Sequence, residues 1–233
     1  MKLYQQHIPA LQAIALHYRR GYCLTIGFTT DEEKLERKAI EWAEAFGTRL
    51  PAWRRQDRKQ RGLPNAVAVA GGVLGYPGRR EVILMATAEA LSAPAISPWA
   101  KEKWTDRYPT FGPYILSREP RPGREPVWTW RLQESVYQGI SRYLISLVKQ
   151  GNAGAVRLET ESWLGAYALF GGVRRQLRRS LMAARKLWNA CHQSAWPGVD
   201  PDALPMLIGF RKDTSPSDKA TSVSTPVRQT AKS

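Results

Sequence analysis

Val173, Leu177, Leu181, Ala184 and Trp188 recur at spacings of 4, 4, 3 and 4, which commits VRRQLRRSLMAARKLW to a helix with one buried edge. The same stretch carries six cations and no carboxylate. Arg174, Arg178 and Arg185 flank the apolar stripe on one side; Arg175, Arg179 and Lys186 flank it on the other. No acidic residue lies between Ser162 and Val199, so none of these charges has a partner nearby in sequence. A cationic double row of this kind is the footprint of a surface that meets a polyanion.

A second cluster, WRRQDRKQRG from Trp53 to Gly62, sets Arg54, Arg55, Arg58, Lys59 and Arg61 against the single Asp57. The whole chain of 233 residues has 35 basic and 20 acidic residues, a formal charge of +15. Residues 211–233 hold five of the basic and two of the acidic residues, so the remainder keeps +12. Self-repulsion of that size opposes compactness, and DNA, RNA or anionic lipid would relieve it.

A composition of 43% hydrophobic and 24% charged residues is that of a chain with a core. The longest apolar run, Ala66 to Gly75, is about half the roughly 20 residues of a membrane-spanning helix, so no membrane partner is expected. The first twenty residues lack the small-residue cleavage site of a signal peptide. With Cys23 and Cys191 alone there is no disulfide framework, which predicts a reducing, cytoplasmic setting.

Helical spacing at Leu11, Ile14, Ala15 and Tyr18 precedes a strand at Tyr22–Phe28. A helix from Asp31 to Phe46 follows, with Leu35, Ala39, Trp42 and Phe46 as its core stripe. Strands at Ala66–Leu74 and Glu81–Thr87, joined by Gly75-Tyr76-Pro77-Gly78, predict an antiparallel hairpin. The stretch from Ser92 to Tyr108 reads as loop with a short polar helix carrying Trp99 and Trp104. Strands at Pro113–Ser117 and Pro126–Leu132 are separated by REPRPGREP, which reads as an exposed, stiff loop. Two helices precede the arginine-rich one, with stripes at Tyr137, Ile140, Leu144 and Leu147, and at Val156, Glu159, Trp163 and Tyr167. A proline-rich segment from Ala195 to Phe210 is expected to lie extended over the body, and the chain after Lys212 to be disordered.

These readings predict an α+β protein: an antiparallel, ferredoxin-like sheet with helices on one face, then a C-terminal helical segment. The divisions fall at 1–132, 133–210 and a tail at 211–233.

Catalytic and metal motifs are missing. His7, His17 and His192 are scattered, so neither a metal nor a cofactor is expected. Gly71-Gly72-Val73-Leu74-Gly75 lacks the lysine and hydroxyl of a phosphate loop, and reads instead as a bulge or a close strand crossing. Cys191 and His192 point about 100° apart on a helix and make no nucleophile pair. The pairs Glu32/Glu33 and Glu159/Glu161 do not share a helical face.

The order helix, strand LTIGF, long helix, strand, turn, strand over residues 20–90 resembles the front half of the HUH-class replication and relaxase nucleases of plasmids and phages. That resemblance implies a ferredoxin-like sheet and DNA as the partner. It also implies a His-hydrophobic-His metal pair on a central strand and a tyrosine nucleophile on a later helix. The corresponding strand, Glu81–Thr87, holds no histidine, and neither Tyr137 nor Tyr143 stands in a Tyr-x-x-Lys context. The implied role is DNA binding without cleavage.

The function expected from sequence is a basic nucleic-acid-binding accessory protein of a plasmid or other mobile element, acting in DNA replication, conjugative transfer or their regulation. Other proteins of such a complex are possible partners. Arg174, Arg175, Arg178, Arg179, Arg185 and Lys186 would contact phosphates, with Arg54, Arg55, Arg58, Lys59 and Arg61 as a second patch. The alternative is an interaction subunit whose arginine helix docks on an acidic protein.

Overall fold

The computed structural model describes residues 2–4, 7–73, 76–92, 105 and 107–205. Strand β1 (Lys2–Tyr4) leads into α1 (His7–Arg19), β2 (Leu24–Asp31), α2 (Glu32–Phe46) and α3 (Ala52–Gln60). The hairpin β3 (Ala66–Val73) and β4 (Tyr76–Ala86) completes a four-stranded sheet of order β1-β3-β4-β2. Its β1–β3 pair is parallel and the other two pairs are antiparallel. A second antiparallel sheet, β5 (Thr110–Phe111), β6 (Tyr114–Arg121) and β7 (Arg124–Leu132), follows. The chain then forms α4 (Glu134–Lys149), α5 (Ala153–Ala166) and α6 (Gly171–Cys191).

Alternation along β3 decides how the first sheet is covered. Ala66, Ala68 and Ala70 turn to one face, where Leu35, Trp42 and Phe46 of α2 fill the space left by the small side chains. Val67 and Val69 turn to the other, against Ala10, Leu11 and Ile14 of α1. The protein is α+β as the composition of elements predicted, but its first sheet carries α1 on one face and α2 on the other. Helices on one face would leave half of a strand buried on both sides exposed to water. The element order β-α-β-α-α-β-β also differs from the β-α-β-β-α-β of a ferredoxin-like unit.

The glycines of β3 behave as read: the register shifts between Gly72 and Val73, and a Cβ on Gly71 would come within 3.0 Å of the Phe111 ring. Phe111, Tyr114, Leu116, Trp130 and Leu132 join the second sheet to the α1 side of the first. The same core continues through Leu144, Leu147 and Val148 of α4, Val156 and Trp163 of α5, and Val173, Leu177, Leu181, Ala184 and Trp188 of α6. The whole predicted stripe of the arginine-rich helix is therefore buried.

Two segments depart from the sequence reading, and a third follows it as far as it is described. Residues 52–60 are helical although the cluster there has no apolar period. The segment REPRPGREP is no loop: β6 runs to Arg121, β7 starts at Arg124, and Gly123 closes the turn at φ 64°. Of the proline-rich segment, residues 195–205 lie against the body with Leu204 buried and the Val199 amide bonded to Thr160 Oγ1 at 3.0 Å. Trp99, Trp104, residues 206–210 and the expected tail lie outside the described residues.

Candidate nucleic-acid interface

Burying one edge of α6 splits its cations into two rows with different fates. The row Arg174, Arg178 and Arg185 faces the segment after the helix. Arg178 binds Asp202 at 2.6 Å, Arg185 lies 3.6 Å from Asp200, and Arg174 donates to the Leu204 carbonyl at 3.0 Å. The hydrogen bond and charge of Arg178 hold the Asp202 carboxyl below the usual carboxylate range. In the other row Arg175 pairs with Glu119 of β6, which Arg131 of β7 also approaches, at 3.8 Å. Arg179 and Lys186 make no ion pair among the described residues. The absence of nearby acids in sequence thus misled: Asp200, Asp202 and Glu119 supply the countercharge from elsewhere. Four guanidiniums of this helix serve as clamps, and of the double row only Arg179 and Lys186 are left without an ion pair or clamp among the described residues.

The α3 cluster has the opposite character. Not one of its nine residues is fully buried, and polar bonds tie α3 to its neighbours. Arg55 donates to the Leu50 carbonyl, Arg58 to the Pro64 carbonyl at 2.7 Å, and Lys59 to the Arg20 carbonyl. Asn65 Nδ2 donates to the Arg55 carbonyl at 2.6 Å. These bonds orient the cations without neutralising them, because a carbonyl carries no net charge. Arg61 pairs with Asp57 of its own helix at 3.1 Å, and Glu89 lies within electrostatic reach of Lys59.

The tie from Lys59 also draws in Arg19 and Arg20 at the end of α1, two cations the sequence reading passed over. The signal was there as two adjacent arginines at a helix end, in a stretch with no acidic residue before Asp31. Trp53, 66% exposed, stands at the start of α3 with the Arg54 guanidinium 5.1 Å from its ring centroid. The Tyr22 phenol is pushed up by burial, opposed by the charge of Arg55.

A cavity of about 780 Å³ opens between the two sheets, lined among others by Thr25, Thr29, Glu81, Arg107, Tyr108 and Thr110. Glu81 accepts from the Gly112 amide at 2.6 Å. Burial pushes its carboxyl up, against the opposing pull of that amide and of His7. Among the described residues no group of three or more metal-ligating side chains converges, here or elsewhere.

A raised carboxyl pKa has a definite sign. Below the ordinary glutamate value of about 4.3 both folded and unfolded states hold the proton and nothing is lost. As pH rises through the shifted value the folded state must ionise a half-buried group, and stability falls. Glu81→Gln keeps an acceptor for Gly112 and removes that ionisation. Its melting temperature relative to the parent is expected to climb between about pH 4.3 and neutrality; a constant difference across that range would refute the assignment.

Among the described residues no helix is long and apolar enough to cross a membrane. No family model, curated protein or solved structure matches this chain.

Proposed function

We propose that the protein binds nucleic acid through the phosphate backbone, with α3 and the end of α1 as the contact surface. The observation that carries this reading is a basic helix with no buried residue, whose Arg54 and Lys59, like Arg19 and Arg20 beside them, make no ion pair among the described residues. Arg19, Arg20, Arg54 and Lys59 hold the phosphates; Arg179 and Lys186 of α6 supply a minor, separate site. The finer role, accessory to the replication or transfer of mobile DNA in the cytoplasm, rests only on the sequence resemblance of residues 20–90 to the HUH class, whose ferredoxin-like element order the fold does not share.

Phosphate contacts release counterions, with about 0.9 in the log–log salt slope per contact on B-DNA. Arg54→Gln with Lys59→Gln should flatten the slope by about 2 and weaken binding to a mixed-sequence duplex about ten- to a hundredfold at low salt. Arg178→Gln, whose charge Asp202 already balances, should leave the slope unchanged. An unaltered slope in the α3 variant would remove that helix from the interface.

A further inference from the structure

We propose that the β6–β7 ribbon is an arm that enters the major groove of duplex DNA, with Arg121 and Arg124 meeting the base edges. This rests on the phosphate-binding reading of α3 and adds the substrate class. Residues 120–126 are all exposed, and a Cβ placed on Gly123 would have nothing within 4 Å. The ribbon therefore stands clear of the body beyond the half-buried pair Glu119 and Val127. Its free length of roughly three residues per strand gives a reach of about 10 Å, against a groove depth of about 8.5 Å.

The charge at its end is open. Arg121 and Arg124 face each other in register, and neither makes an ion pair among the described residues. Of the two carboxylates on the ribbon, Glu119 points back to Arg131 and Arg175, and Glu125 lies 4.0 Å from Arg118. Pro120, Pro122 and Pro126 remove backbone donors from the ribbon. It is poorly suited to adding a further strand and must act through side chains. The register shift between Glu119 and Arg121 adds the local twist that a groove requires.

The ribbon is also continuous with the basic patch. Trp128 at its root packs edge-on against Tyr18 with ring centroids 5.1 Å apart. Arg19 and Arg20 follow Tyr18 directly, and Lys59 of α3 binds the Arg20 carbonyl. These contacts link three segments distant in sequence; on this proposal α3 and the end of α1 hold phosphates while the arm enters beside them. B-DNA offers a major groove about 12 Å wide, which admits a two-stranded ribbon; the deep, narrow major groove of A-form RNA does not.

The test uses the full chain, a random-sequence 25-base-pair DNA duplex and the corresponding single strand. Arg121→Ala with Arg124→Ala changes only exposed side chains, so folding is expected to be kept. The parent should protect guanine N7 from methylation, and the double variant should lose that protection together with ten- to a hundredfold of duplex affinity. Its salt slope should stay far closer to the parent's than that of the α3 variant. Undiminished N7 protection and affinity in the double variant would overturn the arm while leaving the α3 reading intact. Equal or tighter binding of the single strand by the parent would do the same. Failure to bind either nucleic acid would overturn both.

Discussion

Trp130→Ala is expected to destabilise the protein by about 4 kcal/mol, the scale for removing a fully buried tryptophan. Trp130 is 1% exposed at the junction of the two sheets, and its indole Nε1 donates to the Leu11 carbonyl of α1 at 3.0 Å. It lies in one core with α1, the inner face of the first sheet and α6, so truncation opens a void that three elements border. For a chain of this size each kcal/mol moves the melting temperature by about 2–4 °C, so a fall of about 8–16 °C is expected in a thermal melt. Trp130→Phe keeps most of the volume and loses the donor, and should cost about 1–2 kcal/mol. If alanine and phenylalanine cost the same, the packing role assigned to the ring is wrong.

The elements legible from sequence were those whose stability comes from a long apolar stripe. The four stripe residues of α2 and the five of α6 are all buried. Two apolar runs either side of a Gly/Pro turn signal likewise marked β3 and β4. By contrast, α3 has no stripe, and its helix is held by bonds to the Leu50, Pro64 and Arg20 carbonyls that no local pattern encodes. The ribbon was misread because prolines usually end strands. In a two-stranded ribbon one side of each strand has no partner to bond, so proline there costs little.

Charge was the least legible property of all. Asp202 reaches Arg178 across 24 residues, and Glu119 reaches Arg175 across the whole of α4 and α5. Local composition measures how many charges a segment has, but the fold decides which of them remain unbalanced. That is why the arginine-rich helix lost weight as a binding surface and the shorter cluster gained it.

Gln176→Leu tests the joint between α6 and the second sheet, and about 3 kcal/mol of destabilisation is expected. Strand β7 is an edge strand, and the outward N–H and C=O of Leu132 would have no partner in a sheet of order β5-β6-β7. Gln176 supplies both: its Oε1 accepts from the Leu132 amide at 2.7 Å and its Nε2 donates to the Leu132 carbonyl at 3.1 Å. The side chain is 2% exposed, so water cannot replace it. Each buried group left unpaired costs about 1–3 kcal/mol, while leucine restores most of the volume and adds apolar contact. The signature is local: hydrogen exchange at the Leu132 amide should accelerate more than at amides inside the β3–β4 hairpin. Uniform acceleration across both sheets would mean that the glutamine contributes bulk and not hydrogen bonds. An unchanged Leu132 amide would show that the edge is capped by something else.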